Sequence, residues 1–458
     1  MRNPATILCT AVLVSAALAA PSSAELAASS STAPAAPSSA ELVVSSSAKP
    51  FTPKSYIKTV LDASPTMRKA EQDFKQSENS YKAAVLDAAL PSFTFSMSDS
   101  LYDEQDRRLR LNHDEVSSSL SASWNLYDSA SSPLRRIKIA RLDYKAARLV
   151  LLTAKQAEAV KALNRFYALY SAQRRIGTAK MNLASRERQY KDTNEQFESG
   201  TRSRIEVTQS EGDKLQSELS LAQAETAERK ALMSFNELIN AEPEAQQAVE
   251  ISTQAADIKL PLPKEDVAKA LENNFSLRQQ KLSLEKTGLS NRAGVLSNYP
   301  RFKVDAAWRK TGLGILGTPG GSGAGNPAYG LGASLSYPFG FLGVQNSLEL
   351  DVLESALISA GLEIENSARA LKTSVLSAQK DIELQVKSRQ LLEFQVKAQM
   401  DTTDNLLTEY SLGGASFLQL DSSQTKLLDS SNGQITAVND LDLALANYRV
   451  LLGEKIWE

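Results

Sequence analysis

Two hydrophobic periods alternate along this chain. Phe93, Phe95 and Met97 alternate with Thr94, Ser96 and Ser98, and Val116, Leu120, Ala122, Trp124 and Leu126 share a second two-residue stripe. The same period returns further on. Phe302, Val304, Ala306 and Trp308 alternate with Lys303, Asp305 and Arg309; then Tyr329, Leu331, Ala333, Leu335 and Tyr337 alternate with Gly and Ser. A period of two predicts strands, at about 92–102, 116–127, 301–310 and 329–338. Elsewhere the period is helical. A short helix is expected over about 54–62. A second, opened by Pro65, runs to about Ala89 and is stopped by Pro91. Past the first strand pair, Ile137, Ala140, Tyr144, Ala147, Leu151 and Ala154 follow a 3-4-3-4-3 spacing, a coiled-coil seam with small residues in it. That helix is predicted from about 137 to 198, on the order of 90 Å long.

The pattern occurs twice. "PKSYIKTVLDASPTMRK" from Pro53 matches "PKEDVAKALENNFSLRQ" from Pro263, and "LPSF" at Leu90 matches "YPRF" at Tyr299. "FESGTRSRIEV" from Phe197 matches "YSLGGASFLQL" from Tyr410, placing Gly200 on Gly413, Ser203 on Ser416 and Val207 on Leu420. Further on, Leu232, Phe235 and Leu238 match Leu445, Tyr448 and Leu451. A unit duplicated in tandem is therefore expected, residues 53–245 and 246–458, each with helix, strand hairpin and a long helical hairpin. The helical hairpins turn at about 199–203 and 412–416. Gly200 and Gly413 are placed to end a helix in the left-handed conformation, Ser203 and Ser416 to start the next one, and Glu206 completes a capping box with Ser203.

Residues 1–24 read as a secretory signal peptide: Arg2, an apolar run from Ala5 to Ala20, and small residues at Ser22 and Ala24. Residues 25–52, with "PSSAEL" twice over 21–42, read as a disordered Ser/Ala/Pro-rich tether. The hairpin connections, charged over 103–115 and glycine-rich over 311–328, belong in water. A formal net charge of −2 gives no pull toward nucleic acid. The single cysteine, Cys9, lies in the leader, and the single histidine, His113, in a charged loop. With no phosphate loop, zinc motif or triad that His113 could serve, an enzyme, a cofactor and a resident metal are not expected.

Strands of about ten residues with one apolar face, aromatic residues near their ends and an export signal fit a membrane barrel. Four strands leave two bare edges, which lipid does not tolerate, so copies must pool their strands. Two copies give eight strands and three give twelve. The export signal, the duplicated helix–hairpin–helix unit and the two G-x-x-S turns resemble the TolC-like outer-membrane efflux proteins over about residues 53–453.

The resemblance implies a mainly α protein with a membrane β-barrel. Four strands and long coiled-coil helices per protomer would build a trimeric 12-stranded barrel and an α-helical tunnel into the periplasm of a Gram-negative bacterium. It implies a passive exit duct of a tripartite efflux pump or a type I secretion system. The expected partners are two further copies, outer-membrane lipid, a periplasmic adaptor and an inner-membrane transporter. By the same resemblance the adaptor docks at the tips, Gly200, Thr201, Arg202, Ser203, Gly413, Gly414 and Ser416. The periplasmic gate would lie at Glu206, Tyr410, Gln419 and Asp421. The arginine of the family's second tip is replaced by Ala415. The family's acidic positions fall on Gln419 and Ser422, with Asp421 one position off, about 100° round the helix. A weaker gate of Tyr410, Glu206 and Arg202 or Arg204 is expected; otherwise the two arginines read as solvated charges. The alternative reading is a soluble periplasmic coiled-coil scaffold or adaptor.

Overall fold

The computed structural model describes residues 50–98, 102–103, 108–109, 117–128, 132–251, 263–297, 299–311, 328–337 and 344–457. The expected signal peptide, all but the end of the tether, Cys9, His113 and most of both hairpin connections lie outside the described residues.

Two helices come first, α1 (Pro53–Ala63) and α2 (Pro65–Ala89). Proline at the first helical position suits both, because that N–H has no intrahelical partner. Strand β1 (Ser92–Ser98) follows, then two short strands, β2 (Tyr102–Asp103) and β3 (Arg108–Leu109), then β4 (Ser117–Asp128). The first long helix is α3 (Pro133–Glu198, 66 residues), returned by α4 (Arg204–Leu238). The order then repeats: α5 (Pro263–Asn273), α6 (Phe275–Ser297), β5 (Arg301–Thr311), β6 (Ala328–Ser336), α7 (Val344–Ser411, 68 residues) and α8 (Phe417–Leu451). At 1.5 Å per residue, α3 and α7 are each about 100 Å long.

The two hairpins join into one antiparallel sheet of order β1-β4-β5-β6, and β2 pairs with β3. Its register sorts the side chains. Phe93 opposes Ala122 and Phe95 opposes Leu120; Trp124 opposes Ala306; Trp308 opposes both Ala122 and Tyr329; Phe302 opposes Leu335. The other face carries Ser92, Thr94, Ser96, Ser119, Ser121 and Ser123, and its serines bond across strands, Ser92 to Ser123 at 2.8 Å and Ser96 to Ser119 at 2.7 Å. The apolar face is bare: Phe93, Phe95, Tyr329, Leu331 and Leu335 are all exposed. One expectation needs correcting. Leu126 does not continue the β4 stripe, because the register shifts between Asn125 and Tyr127. That bulge sets Tyr127 opposite Val304 and Asp128 opposite Lys303, and Asp128 is buried beside Arg301 at 3.3 Å.

Below the sheet, α3 packs against α1, α2, α4, α6 and α8, and α7 against α5, α6 and α8. The duplication is visible at the helix ends. α3 and α4 close with Gly200 (φ 80) and Asn240 (φ 55), α7 and α8 with Gly413 (φ 78) and Gly453 (φ 74). Each end makes the same two backbone bonds; at the first, Thr201 N–H reaches Gln196 O and Gly200 N–H reaches Phe197 O, both at 2.9 Å.

The cores of the two repeats differ in chemistry. In the first, Tyr56 stacks on Phe235 (centroids 3.9 Å apart) beside Phe166, and its hydroxyl donates to the Phe235 carbonyl at 2.9 Å. Burial holds the Tyr56 hydroxyl well above its ordinary pKa. In the second, the equivalent positions are Asp266, Tyr448 and Gln379, all buried. There the Gln379 amide donates to Asp266 at 2.9 Å and to the Tyr448 hydroxyl at 2.7 Å, and Tyr448 donates to Asp266. Burial, and then the bond to Asp266, push the Tyr448 hydroxyl upward.

Candidate functional site

The tips of the two helical hairpins lie against each other. Ser203 caps α4 in a capping box with Glu206, whose side chain accepts from the Ser203 N–H at 3.2 Å. Ser416 caps α8 in the same way with Gln419, which accepts from the Ser416 N–H at 3.0 Å. The S-x-x-Q signature of this second box was present in the sequence beside the S-x-x-E of the first. Gly200, Thr201, Ser203, Gly413, Gly414 and Ser416 are exposed, as is Gln419.

Tyr410, the penultimate residue of α7, is fully buried in a small core with Ala415, Phe417 and Leu420. Its hydroxyl shares a 2.8 Å hydrogen bond with Thr193 on α3, and the Gln196 amide donates to the Tyr410 and Ser411 carbonyls, both at 3.2 Å. Arg202 closes the cluster. Its guanidinium lies 4.5 Å from the centre of the Tyr410 ring and donates to Gln196 Oε1 at 2.9 Å. It also meets Glu206 at 3.4 Å and, across the gap, the Ala415 carbonyl at 3.2 Å. The expectation of two solvated arginines therefore fails for Arg202, which is only 14% exposed, and holds for Arg204. A planar guanidinium over an aromatic face, with several donors engaged, is a tethered group. The second tip carries Ala415 in place of an arginine, and the cation that touches Tyr410 comes from the first tip instead.

Asp421 lies further along the helices, in a cluster the sequence reading did not anticipate. Arg186 of α3 is almost fully buried, 2.7 Å from Asp421 of α8 and 3.6 Å from Asp213 of α4. Burial, and then Asp421, hold the Asp213 carboxyl above the usual carboxylate range; Arg186 opposes them. A signal was available: Ala179, Arg186 and Thr193 recur every seven residues and are buried, so a charge sits on the coiled-coil seam. A charge at such a position calls for a partner.

Among the described residues no group of His, Cys, Asp and Glu could hold a metal, and no helix is long and apolar enough to cross a membrane.

Residues 56–241 match the family model for outer membrane efflux proteins. The fold is shared with solved outer-membrane proteins of low sequence identity. VceC from Vibrio cholerae is 14% identical, with a TM-score of 0.72 over 89% of this chain and 97% of that one. The open-state MtrE channel of Neisseria gonorrhoeae is 17% identical, with a TM-score of 0.68 over 88% and 89%. The CmeC channel of Campylobacter jejuni is 13% identical, with a TM-score of 0.68 over 93% and 95%. No curated protein sequence matches the chain. The family match covers the first repeat, and the fold over most of the chain is that of solved outer-membrane proteins.

Proposed function

We propose that this protein is a TolC-like efflux protein, one protomer of a passive exit duct, three copies of which close a 12-stranded barrel in the outer membrane of a Gram-negative bacterium. The sheet carries this reading. It has an exposed apolar face, a serine-rich opposite face, and edges β1 and β6 that each pair on one side only. Hydrocarbon accepts the first feature and forbids the last, unless neighbouring copies complete the ladder. Helices of about 100 Å then continue the pore into the periplasm.

In this reading the exposed tip residues Gly200, Thr201, Ser203, Gly413, Gly414 and Ser416, with Arg202 between them, receive a periplasmic adaptor. The Tyr410–Arg202–Glu206 cluster is the gate, and an inner-membrane transporter, of an efflux pump or a type I secretion system, supplies energy and cargo. The duct itself does no chemistry.

Adjacent positions on β1 provide the test. Phe95→Arg puts a charge on the apolar face, at a cost of about 2–4 kcal/mol near the bilayer midplane. Thr94→Arg puts the same charge on the serine face. The expected outcome is a heat-modifiable trimer in the outer-membrane fraction for the parent and Thr94→Arg, and its loss for Phe95→Arg. Release of the parent by osmotic shock as a soluble protein would refute the barrel and favour a periplasmic scaffold.

A further inference from the structure

The polar face of the four-stranded sheet is nearly free of charge. Apart from Asp128, the paired positions that β1, β4 and β6 present on it are Ser, Thr, Asn, Ala and Gly. Its other charges stand on β5: Arg301, Lys303, Asp305 and Arg309. Those nearest the helices compensate one another. Arg301 lies 3.3 Å from Asp128, and Lys303 lies 3.6 Å from Asp305. The Asp305 carboxylate rests over Gly332, where a Cβ would come within 3.3 Å of it. Arg309 stands apart. It sits near the end of β5 remote from the helices, opposite Ser121 on one side and Ala328 on the other. It is exposed, and among the described residues no carboxylate pairs with it. Asp305 is four residues back, about 13 Å along the strand and beyond the Debye length of about 8 Å at physiological salt. The polar face therefore carries balanced charge at its helix end and an uncompensated cation at its far end.

We propose that Arg309 sets the charge preference of the duct: three copies form a cationic collar near the outer mouth of the barrel, which admits anionic solutes more readily than cationic ones of the same size. The proposal rests on the duct reading and deepens it. Twelve strands enclose more room than eight, whose bore side chains just fill, and small side chains leave that room to water. A wide bore does not sort solutes by fit, so the fixed charge of the wall is what discriminates. A ring of arginines on a low-dielectric wall gathers anions and repels cations. Arginine keeps its charge at every physiological pH, so the collar is permanent.

Ser121→Cys, directly opposite Arg309, reports the local potential, since the only native cysteine is Cys9 and the unsubstituted protein supplies the background. Full-length protein in vesicles of zwitterionic lipid is labelled with an anionic sulfonate and a cationic ammonium methanethiosulfonate. Each rate is divided by that reagent's rate with free 2-mercaptoethanol. The reagents enter from the outer mouth, so the state of the tips does not affect the result. The sulfonate is expected to be favoured several-fold. Arg309→Gln should bring the ratio near one, Arg309→Glu should invert it, and Arg309→Lys should keep it. Lys310→Gln removes a neighbouring cation from the opposite, apolar face and should leave the ratio unchanged. In 1 M salt, where the Debye length is about 3 Å, the preference should shrink. A ratio indifferent to Arg309, or moved as much by Lys310, overturns the collar. Labelling by an uncharged reagent but by neither charged one means that this face is not wet, and overturns the duct and the collar with it.

Discussion

A methyl group at Gly453 would collide with the Asn273 carbonyl, whereas one at Gly200 or Gly413 would meet nothing within 4 Å. All three glycines have positive φ, so alanine at either tip costs only the left-handed strain, about 1–2 kcal/mol. Gly453→Ala adds a clash with backbone. Thermal midpoints of the three variants should fall in that order, with Gly453→Ala losing more than both tip variants together; equal losses would show that strain alone matters. The tip glycines and the Ser203–Glu206 cap were legible because their chemistry is local: a breaker, a hydroxyl and a carboxylate at fixed spacing. Asn240 escaped notice because asparagine visits the left-handed region only when the surrounding bonds reward it. Arg202 was misjudged for a different reason. What tethers it is the Tyr410 ring and the Ala415 carbonyl of the opposite tip, and no local spacing reports a neighbour so distant in sequence.

Between elements, the two repeats solve one packing problem with different side chains. Where α1, α3 and α4 meet, three aromatic rings fill the space; where α5, α7 and α8 meet, Asp266, Gln379 and Tyr448 bond to one another. Asp266→Ala would leave the Tyr448 hydroxyl and one bond of the Gln379 amide unmade in a dry site, at about 1–3 kcal/mol. Replacing all three by the residues of the first repeat (Asp266→Tyr, Gln379→Phe, Tyr448→Phe) exchanges a polar network for apolar volume and should cost less than that single change. A triple variant with a lower thermal midpoint than Asp266→Ala would refute this. The long helices and the four strands of the main sheet were readable from period; the short β2–β3 pair, in the charged connection expected only as a loop in water, was not. The bulge at Leu126 was not, since the residues Trp124 to Tyr127 fit either face and only pairing with β5 decides between them.

For the whole molecule, the tandem plan was readable because the landmarks recur in one order, while the polar ladder between the hairpins was not. Its members, such as Tyr167 with Asp442, Arg175 with Thr436 and Gln424 with Ser185, are polar side chains whose meeting depends on the tertiary fold. The tip cluster yields the functional prediction at this scale. Tyr410→Phe removes the bond to Thr193, and Glu206→Ala frees one side of Arg202, so both variants should conduct more than the parent in planar bilayers. Unchanged currents would mean that the tips do not set the resistance. The segment after α8 has a consequence of another kind. Ile456 and Trp457 pack into the aromatic core of the first repeat, and the Glu454 carbonyl accepts from Gln156 at 2.9 Å. The core of the earlier half therefore cannot be completed until the later half has been made, and shaving away these few side chains would loosen walls built hundreds of peptide bonds upstream.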